Sequence, residues 1–162
     1  MQTNRSSFLS SATHLRKLVA AHAQGDADVL IVQTAVESAK SRDTVLVGDD
    51  TDLLVLLLYH VDTAGHDIYF KPEPKKDANK IRTWDIEQAK QTLGQDICTN
   101  ILFVHALLGC DTTSRVHGIG KGVAHDKVKR GQFVGITEVF KQDNATQDDI
   151  IKSGERALSV CI

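Results

Sequence analysis

Apolar positions along the chain follow two rhythms. Phe8, Ala12, Leu15 and Val19 recur at spacings of four, three and four, which is one face of a helix, with Ser6 or Ser7 placed to cap it. A second helix is predicted from Asp26, just after Gly25, to about Ser41, with Val32, Ala35, Val36 and Ala39 turned inward. The rhythm then changes. Thr44-Val45-Leu46-Val47-Gly48 is short, β-branched and apolar, and it predicts a buried strand of a parallel sheet. After Asp49-Asp50-Thr51-Asp52, the run from Leu53 to Val61 exceeds strand length, and Asp52 is a good cap, so a helix is expected. Asp67 to Phe70 predicts another short strand. Lys71 to Arg82 carries both prolines and four lysines and predicts a surface loop. Asp85 to Leu93 and Ile97 to Leu108 predict helices, each stopped by a glycine, Gly94 and Gly109. The rest is glycine-punctuated and then mostly helical. Helix, strand, helix, strand, helix indicates an α/β fold: a small parallel sheet flanked by helices, with a helical C-terminal region.

Composition narrows the function classes. At 162 residues, the chain fits one domain that buries roughly two-thirds of its unfolded surface. Its 19 basic and 21 acidic residues leave a net charge of −2, which excludes a globally basic nucleic-acid binder but allows a local basic patch. The longest apolar run, Leu53 to Leu58, is too short to span a bilayer, and the N-terminus has no signal-peptide pattern. Cys98, Cys110 and Cys161 are odd in number and share no CxxC spacing, so a disulfide framework or zinc site is not expected and a reducing intracellular compartment is.

Three local signals bear on chemistry. The first is Val-Leu-Val-Gly-Asp-Asp-Thr-Asp, in which an expected strand delivers Asp49, Asp50 and Asp52 beyond its carboxyl end, where open α/β sheets bind ligands. Carboxylates crowded there repel by about 4 kcal/mol per pair at 4 Å and an effective dielectric near 20. Relief comes from protonation, basic neighbours or a divalent cation, and all-oxygen ligation favours Mg²⁺ or Mn²⁺. The plain alternative makes Asp52 a helix cap and Asp49 and Asp50 solvated loop charges. The second signal is Asp26 and Asp28 at an expected helix start, where the helix dipole already favours negative charge. The third is the stretch from Leu107 to Gly122, where Asp111 follows the end of an apolar helix and Gly118, Gly120 and Gly122 lead into a basic one. Glycines there let a backbone approach a phosphate at the next helix N-terminus, and Lys121, Lys127, Lys129 and Arg130 supply positive charge. The stretch is neither a dinucleotide fingerprint nor a P-loop. The seven histidines are scattered, and His105, inside an apolar helix, is expected to be a hydrogen-bonded core residue. No GxSxG or Cys-His signature supports nucleophilic catalysis.

Taken in order, Gly-Asp-Ala-Asp, the strand with Asp-Asp-Thr-Asp, and Leu-Leu-Gly-Cys-Asp followed by Gly-Ile-Gly-Lys-Gly resemble the flap-endonuclease/XPG-type branch of the PIN-like nucleases, over about Gly25 to Arg130. The likeness extends to XPG-like proteins of invertebrate genomes. It implies a PIN-like, Rossmann-like domain and structure-selective hydrolysis of DNA phosphodiesters. By that resemblance Asp50, Asp52 and Asp111 are catalytic, and together with Asp26 and Asp28 they hold two Mg²⁺ or Mn²⁺ ions. Gly118 and Gly120 fall on the family's helical hairpin, here residues 109–130, which with Lys121, Lys127, Lys129 and Arg130 grips nucleic-acid backbone. The implied partner is DNA with branched or single-stranded character, and nuclear residence follows from the same analogy. Several features depart from the family. The first acidic pair is aspartate where the family has glutamates, Thr112 replaces an aromatic residue, and Lys121 stands one position early. The family's opening strand, with its own aspartate, and its helical arch have no counterpart, so the chain is expected to be N-terminally incomplete. Two other classes compete: a catalytically inactive PIN-like module that binds nucleic acid or protein, and a haloacid-dehalogenase-type phosphatase. The phosphatase is disfavoured by Leu54, which stands where that family has Thr or Val.

Overall fold

The computed structural model describes residues 20–62, 65–73, 83–110, 113–114 and 120–161. The helix expected over Phe8 to Val19 lies outside them, as does most of the lysine-rich stretch up to Arg82. In chain order the described elements are α1 (Ala27–Ala39), β1 (Thr44–Val47), α2 (Thr51–His60), β2 (Ile68–Lys71), β3 (Trp84–Asp85), α3 (Ile86–Leu93), α4 (Gln95–Leu108), α5 (Lys121–Lys129), a 3₁₀ turn (Val139–Lys141) and α6 (Gln147–Cys161). The protein is thus a mixed α/β structure with a small sheet and six described helices.

The sheet has the order β1-β2-β3. β1 and β2 are parallel, with Thr44 opposite Ile68 and Leu46 opposite Phe70. A crossover through α2 joins them, as a parallel pair requires. β3, which the sequence did not suggest, pairs antiparallel with β2 over two residues, Phe70 opposite Trp84. Because side chains alternate along a strand, Leu46, Ile68 and Phe70 share one face, and all three are buried. They meet Val32, Ala35 and Ala39 of α1, Leu53, Leu57 and Leu58 of α2, and Ile86 of α3 in the first core.

The opposite face corrects the expectation of a strand buried on both sides. Val45 and Val47 are 53% and 54% exposed. Among the described residues, every helix packed on the sheet meets the Leu46 face, so β1 alternates buried and exposed residues as a half-covered strand does.

A second core lies C-terminal to the first. Ile97 of α4, Val128 of α5, Phe133, Ile136 and Ala157 of α6 form it. Phe103 packs against Phe133 and Phe140 with ring centroids 5.4 and 5.2 Å apart. α4 joins the two cores, since Ile101 packs against the first while Ile97 belongs to the second. The helix stops follow the sequence closely. Gly94 ends α3 and begins α4 with φ of 87°, a left-handed backbone that a β-carbon would strain. The Lys90 ammonium reaches the Val61 carbonyl and so ties α3 to the end of α2.

Candidate functional site

Gly48 ends β1 and turns the chain into the acidic loop. A β-carbon on it would come within 2.5 Å of Leu53 Cδ1, so glycine lets the strand end sit directly on the first turn of α2. Asp50, not the expected Asp52, is the N-cap of α2: its backbone is extended and its Oδ1 accepts from the Asp52 N–H at 3.0 Å. Asp52 therefore stands inside the first turn, which frees its carboxylate to face another element. Its Oδ1 lies 2.7 Å from His105 Nε2 in the last turn of α4, and both side chains are mostly covered. His105 is thus the hydrogen-bonded residue its apolar helix implied, with an acidic partner that periodicity could not name.

α1 repeats the device. Asp26 caps it, with Oδ1 accepting from the Asp28 N–H at 2.9 Å, and Asp28 stands in the first turn. Each acidic pair is therefore a capping aspartate followed, two residues on, by an aspartate at the positive end of a helix dipole. A short turn over residues 40–43 joins the end of α1 to the start of β1, and α2 leaves from the end of β1. Because α1 also packs along both β1 and α2, both helices begin at the carboxyl end of the strand. The His105 contact adds the carboxyl end of α4 to this same region.

Beyond α4 the chain turns tightly. Gly109 has φ of 90°, and Thr113, which sequence reasoning passed over, sends its hydroxyl back to the Ala106 carbonyl at 2.7 Å while its N–H donates to the Cys110 carbonyl. Asp111 and Gly118 lie outside the described residues. Gly120 is the N-cap of α5, without a side-chain cap, and Lys121 opens the helix. Lys127, Lys129 and Arg130 sit at the other end of α5, about 10 Å away at 1.5 Å rise per residue. The basic cluster seen in the sequence is therefore divided. Three of its cations complement the negative end of the helix dipole, and Lys121 alone stands beside the exposed N–H groups.

The donor chemistry of this end of the sheet is carboxylate oxygen, which suits a hard divalent cation. The geometry is less complete. Among the described residues no three His, Cys, Asp or Glu side chains come together as a metal-holding group. One oxygen each of Asp26 and Asp50 is engaged in capping, and one of Asp52 faces His105. The cysteines form no disulfide. Burial pushes the Cys98 thiol above its ordinary pKa, its Sγ donates to the Lys90 carbonyl, and it is therefore an unreactive core group.

Comparison with protein-family models, with curated proteins and with solved structures finds no match to this chain.

Proposed function

We propose that this chain is a PIN-like domain of the flap-endonuclease/XPG type that hydrolyses phosphodiester bonds in branched or single-stranded DNA. The observation that supports it is the Asp52–His105 contact, which holds the end of α4, and so the start of the Leu-Leu-Gly-Cys-Asp motif, against the acidic start of α2. Two residues 53 positions apart, Asp52 and His105, meet at the carboxyl end of a parallel strand, the usual ligand position in open α/β sheets. In this proposal Asp50, Asp52 and Asp111 serve the reaction, and with Asp26 and Asp28 they hold Mg²⁺ or Mn²⁺. Such ions, when bound, activate water and stabilise the leaving oxygen. The protein's own contribution is positional. His105 orients the Asp52 carboxylate, the capping bonds fix Asp26 and Asp50, and the open N–H groups after Gly120, with Lys121, take a backbone phosphate without reading bases. Nuclear residence belongs to the same proposal.

A second reading, an inactive PIN-like binding module, has its own observation. One oxygen each of Asp26 and Asp50 is engaged in capping and one of Asp52 faces His105, with no three-donor group among the described residues.

Calorimetric titration of Mn²⁺ and Mg²⁺ into the folded chain separates the two. Nuclease descent with a working site predicts saturable binding that an Asp50→Asn/Asp111→Asn double variant loses while retaining its melting curve. Divalent-ion-dependent cleavage of branched DNA should accompany it. A folded wild type that binds neither ion, yet holds DNA equally well with and without the two substitutions, establishes the module and overturns the enzyme.

A further inference from the structure

Away from the acidic end, a cavity of about 560 Å³ opens between α4, the 3₁₀ turn and α6, with Tyr59 of α2 at its edge. That volume is within the range of small-molecule sites. Leu102, Phe103, Phe140 and Leu158 give it apolar walls. One wall residue is different in kind. Thr137 is 3% exposed, and among the described residues its hydroxyl has no hydrogen-bond partner. Its backbone is satisfied, with the N–H on the Phe133 carbonyl and the carbonyl on the Phe140 N–H. No sealed side-chain oxygen or nitrogen among the described residues lacks a partner, so the Thr137 hydroxyl is open to the cavity it lines. A hydroxyl that faces the cavity without a protein partner is free to donate to a polar atom of whatever occupies it.

Two further features define the occupant. Lys141 lies on the same wall, and among the described residues its ammonium is held only by Glu138, at 2.9 Å, a surface pair whose Glu138 side chain is 61% exposed. Such a pair is weak and its cation is available to a second anion. Gly154, in the middle of α6, also lines the cavity, and a β-carbon there would meet no atom within 4 Å. Glycine in a helix interior weakens the helix, and here its missing side chain leaves the cavity open. We infer that this cavity binds an apolar small molecule with one carboxylate head group, the chain or ring lying against Leu102, Phe103 and Leu158 and the carboxylate accepting from Thr137 Oγ1 and Lys141 Nζ. The inference is independent of the proposed nuclease site.

The test is calorimetric titration of decanoate into the full chain, with decylammonium as the counter-probe. The expected result is one decanoate per chain and no saturable binding of decylammonium. Thr137→Val keeps the side-chain shape and removes the hydroxyl, so it should weaken decanoate by about tenfold, the value of one hydrogen bond to a charged group, with melting unchanged. Gly154→Leu should abolish binding by filling the space. Absence of saturable binding to the folded wild type overturns the inference, as does binding that neither substitution alters. Binding that emerges only in a full-length Leu15→Asp variant also overturns it, because the natural occupant is then the chain's own amphipathic stretch around Phe8 to Val19.

Discussion

At the start of α6, Thr146 and Asp149 hold each other. The Thr146 N–H and hydroxyl both donate to Asp149 Oδ2, at 3.2 and 2.6 Å, and the Asp149 N–H donates back to Thr146 Oγ1 at 3.2 Å. This is a capping box closed by aspartate in place of glutamate. The Thr146 side-chain and backbone bonds lower the Asp149 pKa below its ordinary value. The sign of the linkage follows: the stabilisation is complete above the ordinary aspartate range and is lost as pH falls through the lowered native value. An NMR titration of the Asp149 carboxyl carbon should therefore show a midpoint below that of a model aspartate, and Thr146→Ala, which removes the hydroxyl but keeps the backbone N–H, should raise it part of the way to the ordinary value. An unchanged midpoint in Thr146→Ala would remove the box as the cause. Tyr69 moves the other way, its phenol raised chiefly by the hydrogen bond it gives to Asp67.

Between elements, the Asp52–His105 bond is the tether from α2 to α4. Its removal in His105→Ala should cost about 1–2 kcal/mol, the range of a charge-assisted bond reduced for partial exposure, as read by urea denaturation. A loss within error of zero would leave the apolar packing of the two helices as the sole tether. The same pair marks how far sequence goes at this scale. The helix over Asp26 to Ser41, the strand at Thr44 and the glycine stops at Gly94 and Gly109 were legible because periodicity and helix termination are local properties. The cap of α2 was misassigned by two residues, since Asp50 and Asp52 have the same capping chemistry and only backbone geometry distinguishes them. Two-residue β3 carries too little pattern to read. That Asp52 faces His105 is a tertiary fact, and no spacing rule reaches across 53 residues.

Across the described molecule, α4 contributes to both cores, Ile101 packing against the first and Ile97 belonging to the second. Phe133 is almost fully enclosed in the second core, while Trp84, the only tryptophan, sits on the sheet beside the first. Phe133→Ala should cost about 3–5 kcal/mol by the usual price of such a cavity. If α4 couples the cores, Trp84 fluorescence and far-ultraviolet circular dichroism should fall together at the same lowered midpoint. A Trp84 transition that stays where the wild type has it would show two independent units.

The half-covered sheet has a consequence for the chemistry of the backbone itself. In β1 the Thr44 N–H donates to the Asp67 carbonyl, and just past the strand the Gly48 N–H donates to the Lys71 carbonyl. The parallel register carries the alternation through Leu46, so the amides of Val45 and Val47 point to the edge where, among the described residues, no strand is paired. Placed in deuterated water, neighbouring amides of one short strand should then keep time differently. Thr44, Leu46 and Gly48 should retain their protons until the sheet opens, and Val45 and Val47 should exchange at rates near those of an unfolded peptide. Slow exchange at both valines would mean that this edge is covered in solution. The strand would then act as a two-state clock, each tick reporting one side of a sheet that, among the described residues, is two hydrogen-bonded ladders wide.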